Sequence, residues 1–275
     1  MAYKHILVHL DSGPQVETRL DAAIALAKSS GAFLRGLFAQ PDRSATSVIA
    51  RRSSDHLEQA AARSEAMFRD KLQASGLQGQ WHGLTHGEHN HVIREVIIWS
   101  RFADLTVLGQ FDRSAPADGV APEELNEQVV LNSGRPVLVL PFAGTFPVIG
   151  KRVAVAWNAE REAARALSDA MPFLQAADEV TVITVLTQAA PPAGTEPQRI
   201  GLLDHLALHG VTADQTHFTV TDIGAMDALL ARSIDSGADL LVMGAHGHYG
   251  FPFLHRGGGT RHVLRTCPVP LLLSH

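Results

Sequence analysis

The chain has little of several residue types that mark particular protein classes. Its 275 residues include one cysteine, 6% are aromatic, and the 23 basic residues are outnumbered by 28 acidic ones. A single cysteine excludes an intramolecular disulfide, in agreement with a reducing compartment. The net charge of -5 disfavours nonspecific binding of nucleic acid, which relies on clustered Lys and Arg.

Long apolar runs are also missing from the sequence. No stretch reaches the roughly 18 consecutive apolar residues of a membrane span, and the first residues lack the charged and apolar sections of a signal peptide. We therefore expect a cytoplasmic protein that binds neither membrane nor nucleic acid. Cys267 directly precedes Pro268 and an apolar segment, so we expect its side chain to be part of a packed core.

Three segments of the first half recur in the second half in the same order. The pairs are 4–11 with 151–158, 103–109 with 238–244, and 135–140 with 267–272. Their common order indicates a duplicated domain. The segment 142–150 is short and contains Gly and Pro, which is typical of a connection. We therefore predict one domain over 1–143 and a second over 150–275.

Each half alternates short apolar β-branched runs with helical patterns, which predicts parallel strands joined by crossover helices. The predicted strands lie near 4–10, 33–38, 80–85, 105–110 and 136–140, and near 152–157, 179–186, 216–221, 239–244 and 269–273. The predicted helices lie near 15–30, 45–75, 90–102 and 122–133, and near 161–176, 199–209, 223–236 and 259–266. The predicted fold class is α/β, with two tandem doubly wound five-stranded parallel sheets.

The segment 244–260 is dense in glycine and follows the apolar run 240–243. Glycine lets several backbone N–H groups converge on an anion, and a helix that starts near Thr260 adds partial positive charge. Ligands of open parallel sheets bind beyond the carboxyl ends of the strands. The pattern thus predicts a phosphate-binding loop, and the alternative on glycine content alone is a mobile surface loop.

This arrangement resembles a tandem member of the universal stress protein family. The nucleotide-binding branch of that family carries Gly, two residues, Gly, nine residues, and then Gly followed by Ser or Thr; Gly244, Gly247 and Gly257 fit this spacing. The resemblance implies a Rossmann-like fold of the adenine nucleotide alpha-hydrolase type. It also implies ATP, ADP or AMP as ligand, with or without Mg²⁺, pairing of the two domains within the chain, and a homodimer as a further assembly.

The resemblance places the ligand contacts in the second half. The expected positions are Asn158, Val185, Gly244, Gly247, His248, Gly257, Gly258, Gly259 and Thr260. Two of them depart from the family pattern. Gly258 stands where Ser or Thr is usual, so Thr260 would supply the hydroxyl, and Asn158 replaces an Asp that contacts adenosine, which keeps an acceptor but removes the charge. Val185 is expected beside the adenine ring.

The first half departs in the opposite way. Asp11 matches the acidic residue of the family, but Asp112 stands where the second loop glycine belongs. Because a carboxylate at this place repels a polyphosphate, we predict that the first half has lost nucleotide binding. By resemblance it would instead pack against the second half through the fifth strands.

Four histidines lie in or beside the loop: His246, His248, His255 and His262. No cysteine or carboxylate accompanies them at a fixed metal-ligand spacing, so we expect no metal site; contact with phosphate and ordinary surface exposure both stay open. No known catalytic constellation occurs, and at most slow ATP hydrolysis is expected. Two other functions remain possible: an interaction module whose loop is a relic, and a small adenine nucleotide hydrolase.

Overall fold

Residues 2–275 divide into two units, Ala2–Pro147 and Val148–His275. They are seen in a computed structural model that describes residues 2–42, 53–84, 86–115, 120–187, 196–220, 224–247 and 258–275. Within these residues each unit contains five parallel strands separated by helices.

The first unit places its first strand in the middle of the sheet. Its strands are β1 (His5–Leu10), β2 (Phe33–Phe38), β3 (Gly79–Gly83), β4 (Leu105–Gly109) and β5 (Val137–Leu140). Its helices are α1 (Val16–Ser30), α2 (Asp55–Ser75), α3 (His89–Ser100) and α4 (Leu125–Ser133). The strand order is β3-β2-β1-β4-β5. The order therefore reverses between β1 and β4, where such sheets form a ligand crevice.

The second unit repeats this topology. Its strands are β6 (Arg152–Ala156), β7 (Glu179–Thr187), β8 (Asp214–Val220), β9 (Leu240–Gly244) and β10 (Leu271–Ser274). Its helices are α5 (Arg161–Asp169), α6 (Met171–Leu174), α7 (Glu196–Leu208), α8 (Ala225–Asp235) and α9 (Gly258–Thr266). The order β8-β7-β6-β9-β10 puts the reversal between β6 and β9. The predicted fold class is confirmed.

Two helix predictions were wrong in their bounds. The helix predicted from residue 45 begins at Asp55, because Ser54 is extended and its side chain accepts a hydrogen bond from Leu57 N; residues 43–52 lie outside the described part. The helix predicted over 161–176 is divided at Ala170 into α5 and α6. Pro172 stands at the start of α6, where its missing N–H costs nothing, whereas inside a longer helix it would break the ladder.

Cys267 is buried, as the sequence suggested. Burial raises the pKa of its thiol to about 11, although its hydrogen bond to Val269 O acts in the opposite direction. The thiol is therefore protonated at neutral pH and fills core space.

None of the helices in the described ranges has the length and apolar character needed to cross a membrane.

His9 is a buried polar residue on β1 of the first unit. Its Nε2 lies 2.6 Å from Ala39 O, and because a carbonyl only accepts, Nε2 carries the proton of a neutral ring. Burial lowers the His9 pKa to about 4; Asp11 and the Ala39 hydrogen bond raise it, and Arg19 lowers it further. The folded protein therefore holds this ring neutral at a pH where an unfolded chain would protonate it.

Since the His9 pKa is lower in the folded than in the unfolded chain, acidification from about pH 6.5 towards pH 4 favours unfolding. Between pH 7 and pH 5 this residue should remove about 2 kcal/mol of the free energy of unfolding. The variant His9→Gln keeps a donor but cannot titrate, so its loss over this interval should be smaller by that amount. Urea unfolding at the two pH values measures the difference, and equal losses in the two proteins would contradict the assignment.

Candidate functional site in the second unit

The crevice of the second unit lies where the chain leaves β6 and β9. Asn158 follows β6, Gly244 is the last residue of β9, and the segment 245–247 follows that strand. The first turns of α5 and α9 begin beyond the same two strands. The structure thus brings two strand ends and two helix amino ends to one edge of the sheet, where N–H groups and the helix dipoles favour an anion.

Gly244 allows α5 to approach the end of β9. A Cβ placed on Gly244 would lie 2.5 Å from Ala163 N, 2.5 Å from Glu162 C and 2.8 Å from Glu162 O. These are backbone atoms and cannot rotate away. The predicted importance of this glycine therefore has a physical basis, which is close contact between the strand end and the first turn of α5.

Asn158 shapes the turn between β6 and α5. Its Oδ1 accepts a hydrogen bond of 3.1 Å from Glu160 N. Because a backbone N–H needs an oxygen as its acceptor, this bond fixes the orientation of the amide. The Nδ2 group is on the other side and lies 3.9 Å from a Cβ position on Gly247. Asn158 consequently presents donors towards the loop, where an Asp would present only oxygens.

Thr260 connects the two ends of the glycine loop. It is buried in the first turn of α9, and its Oγ1 accepts a hydrogen bond of 2.9 Å from His246 N. The bond joins the end of β9 to the start of α9 across the segment 248–257, which lies outside the described residues. The sequence predicts that this hydroxyl contacts a phosphate. Its oxygen already accepts from His246 N, so the hydroxyl would contact a phosphate by donating its proton.

Glu162 is a site residue that the sequence reasoning missed. It is the second residue of α5 and has 3% of its surface exposed. Its Oε2 lies 3.6 Å from a Cβ position on Gly247, and its Oε1 accepts a hydrogen bond of 2.6 Å from Arg161 Nε. A detectable signal existed, because Glu162 shares the buried face of α5 with Ala163, Ala166 and Leu167.

His275 also belongs to this edge and was not predicted. Its Nδ1 is 2.9 Å from Ala245 O, and its ring meets that of His246 edge-on at 6.2 Å. Ala245 N in turn donates to Ser274 O, so the end of β10 holds the backbone that leaves β9. No pattern in the sequence singles out a histidine at this place.

Backbone strain is concentrated at the same crevice. Among the described residues, two that are not glycine have a positive φ: Ala159 at 62° and His246 at 57°. Ala159 follows β6 and His246 follows β9. Such conformations cost about 1–3 kcal/mol each and are found preferentially at functional sites, where the surrounding structure enforces them.

The remaining predicted residues fall into two groups. Gly258 and Gly259 form the first turn of α9, and Val185 is half-buried on β7, where it pairs with Phe218 of β8. His248 and Gly257 lie outside the described residues. The role of Val185 beside an adenine ring stays a prediction, as do contacts of the two glycines with a ligand.

The equivalent crevice of the first unit is filled by Arg19. This side chain and that of Asp11 are 5% and 6% exposed and form an ion pair of 2.7 Å. Arg19 Nε also donates to His9 O at 2.8 Å. A Cβ on Gly109 would overlap Arg19 Nη1, so the guanidinium lies on the glycine that corresponds to Gly244. Asp11 is thereby committed to an internal partner.

Little space is left around Arg19. The cavity between Arg19, Gly109, Gln110 and Phe142 has a volume of about 10 Å³, roughly that of a single water site. Gln110 Oε1 accepts from Phe142 N at 3.2 Å, and Asn126 Nδ2 donates to Gly109 O at 2.9 Å. These bonds close the carboxyl ends of β4 and β5 with the protein's own groups.

Asp112 is the residue whose carboxylate is predicted to repel a polyphosphate in the first unit. Its Oδ1 accepts hydrogen bonds from Ser114 Oγ at 2.6 Å and Ser114 N at 2.8 Å. These bonds lower the Asp112 pKa, so the carboxylate is ionised at neutral pH. Loss of nucleotide binding by the first unit stays a prediction, now with Arg19 as an additional physical reason.

The histidines do not assemble a metal centre in the described ranges, since no group of three or more His, Cys, Asp or Glu there could hold an ion. His262 Nε2 instead lies 2.7 Å from Asp227 Oδ1. In the first unit, His86 and His91 stack with ring centroids 3.8 Å apart, and His89 Nε2 lies 2.6 Å from Glu124 Oε1.

The fold and the crevice define a tandem doubly wound α/β protein with an anion-compatible strand edge in its second unit. The family model of the universal stress protein family matches residues 150–275, which identifies the second unit as a domain of that family. No curated protein sequence matches the chain significantly.

Two solved structures match the fold over nearly the whole chain, and a third covers half of it. A universal stress protein from Archaeoglobus fulgidus DSM 4304 has a TM-score of 0.72 at 17% identity, covering 98% of this chain and 97% of its own. A functionally unknown protein from Pseudomonas aeruginosa PAO1 has a TM-score of 0.64 at 16% identity, covering 99% and 92%. The universal stress protein from Archaeoglobus fulgidus in complex with dAMP is 19% identical, with a TM-score of 0.36, and covers 50% of this chain and 98% of its own.

Gly244 at the end of β9 and Gly247 beyond it should respond differently to an added methyl group. Gly244→Ala forces apart backbone atoms of β9 and α5 and should lower the free energy of unfolding by about 1–3 kcal/mol. In Gly247→Ala the nearest described atoms are side-chain atoms at ordinary contact distance, so the loss should stay below about 1 kcal/mol. Chemical unfolding of both variants measures this, and equal losses would contradict the described contact.

Proposed function

We propose that the second unit binds an adenine nucleotide at the crevice between β6 and β9. The observation that supports this most is the strain at Ala159 and His246, one on each side of the crevice. The corresponding crevice of the first unit has no such residue among those described and is filled by Arg19. Strain that persists in one of two copies is what selection for a ligand site would produce.

The donors at this edge fit the phosphate part of such a ligand. Asn158 Nδ2, the Thr260 hydroxyl proton and the backbone N–H groups at the start of α9 all lie at the carboxyl ends of the strands. The surface left bare by Gly247 gives them a cradle that a side chain would partly fill. His248 and Gly257 would complete the loop, and Val185 would lie beside the base.

The nucleotide would serve as a regulatory ligand of a cytoplasmic stress-response protein. When bound, the nucleotide would contact groups on both sides of the crevice, and its charge and shape would act as the signal. ATP, ADP and AMP are all candidates, with Mg²⁺ accompanying the polyphosphates. The first unit would act as a structural companion, since Asp11 and Gly109 are occupied by Arg19.

Nucleotide binding should stabilise the folded chain. A ligand that binds only the folded state adds about 2.7 kcal/mol to the free energy of unfolding at a concentration 100 times its Kd. Thermal unfolding with AMP, ATP or dAMP, each with and without Mg²⁺, should show a rise in Tm for at least one of them. Calorimetric titration should then give one site per chain.

The variant Gly247→Asp should abolish this response without unfolding the protein, because it places a second carboxylate beside Glu162. Gly201→Asp adds the same charge on α7, where the glycine is exposed and its Cβ position is open, and should bind normally. If no nucleotide raises the Tm of the unmutated protein, the proposal is wrong and the interaction-module alternative is favoured. Binding retained by Gly247→Asp would mean that the ligand lies elsewhere.

A further inference from the structure

Among the described residues of the second unit, Glu162 is the one charged residue that is buried. It sits in the first turn of α5, on the face that packs towards β9 and β10. The contact of α5 with Gly244 fixes this turn, so the carboxylate is held in place by backbone packing rather than by a flexible surface segment. Its position relative to Gly247 is therefore a built feature of the crevice.

The ion pair of Glu162 is strongly asymmetric in exposure. The side chain of Arg161 is 74% exposed, whereas that of Glu162 is 3% exposed. Water screens the arginine charge far better than it screens the carboxylate. The carboxylate therefore contributes a negative potential near Gly247, although a positive partner lies 2.6 Å from Oε1.

Glu162 is ionised at neutral pH. Burial by itself raises its pKa, but the hydrogen bonds from Arg161 and a backbone N–H, together with the charges of Arg161 and His275, outweigh burial. The net effect is a pKa below the ordinary value of a glutamic acid. The first turn of α5 also favours a negative charge through the helix dipole.

A ligand at this crevice therefore meets donors and one fixed negative charge together. Asn158 Nδ2 and Glu162 Oε2 lie 3.9 and 3.6 Å from the position that a Cβ on Gly247 would occupy. One phosphate group can accept hydrogen bonds from these donors while its other oxygens point away from the Glu162 carboxylate. Every additional phosphate charge placed near Gly247 is repelled, unless a divalent cation neutralises it.

We propose that Glu162 sets the phosphate charge that the site accepts, so that the second unit prefers an adenine nucleoside monophosphate to an unchelated triphosphate. This inference rests on the proposed nucleotide function and specifies its ligand. Glu162 acts here as a specificity determinant. Mg²⁺ should weaken the preference, because it reduces the charge of the triphosphate near Gly247.

The measurement is the ratio of the Kd values of ATP and AMP in EDTA at low ionic strength, by calorimetry on the full chain. The unmutated protein should bind AMP more tightly. Glu162→Gln keeps the shape but removes the charge, and should shift the ratio towards ATP by about tenfold. Glu179→Gln is the matched control, since Glu179 also pairs with an arginine, Arg152, but at the amino end of β7; the ratio should change by less than about twofold.

A second variant acts in the opposite direction. Arg161→Gln removes the exposed positive partner and leaves the carboxylate less neutralised, so the ratio should shift towards AMP by about threefold. Because Arg161 is largely exposed, this variant should fold even if Glu162→Gln does not. High salt should reduce both shifts.

The outcomes separate the two proposals. If the unmutated protein binds neither AMP nor ATP, the nucleotide function itself fails. If it binds both and the ratio is the same in Glu162→Gln and Arg161→Gln, or if Glu162→Gln weakens both ligands equally, nucleotide binding stands and the role of Glu162 is wrong. Opposite shifts in the two variants support the inference.

Discussion

The candidate site depends on one backbone contact, that between Gly244 and the first turn of α5. No side chain separates the end of β9 from Ala163 N and Glu162 C, so the helix start and the strand end form one rigid corner. This corner determines where Asn158, Glu162 and Gly247 lie relative to one another. The same principle of close helix–strand packing at a glycine operates in dinucleotide-binding folds, where glycine is needed because any Cβ would hold the helix away.

The two units share one fold but differ in what packs against the glycine at this corner. In the second unit the connection from Asn158 to α5 is short, and the helix itself reaches the glycine. In the first unit the connection from Asp11 to α1 is longer, and Arg19 fills the space over Gly109. A buried guanidinium in turn requires a buried carboxylate, because either charge alone would be costly. The acidic residue that resembles a ligand contact has thereby become an internal counterion.

The sequence predicted the architecture because its signals are local and repeated. Apolar β-branched runs of strand length occur in the same order in both halves, and the order of strands and helices followed from that alternation. The start of α2 was missed because helical periodicity continues upstream of Ser54, whereas the hydrogen bond from Leu57 N to Ser54 sets the actual beginning. Pro172 was visible in the sequence, and its effect on the helix after β6 could have been predicted.

The candidate site was only partly predictable for a different reason. The spacing of Gly244 and Gly247 marks the loop, but the reason for each glycine depends on what approaches it, and that is a tertiary fact. Glu162 has an ordinary acidic position in a first helical turn when read from the sequence. Its helical spacing to Ala163, Ala166 and Leu167 was the available signal, and the packing of α5 on β9 turns this carboxylate inward. The positive φ of His246 likewise has no sequence signature, although histidine tolerates it better than most residues do.

The combination of donors with one buried carboxylate has a consequence for how such a crevice distinguishes ligands. Donors alone would bind any anion, and affinity would rise with each added phosphate charge. A fixed negative charge among the donors opposes that rise, so affinity passes through an optimum at a limited ligand charge. In the proposed role, Glu162 would lower the affinity of the crevice for every anion and would in return discriminate between anions of different charge. Because Glu162 is shielded from water while Arg161 is not, salt should reduce this discrimination less than it would reduce the effect of a surface carboxylate.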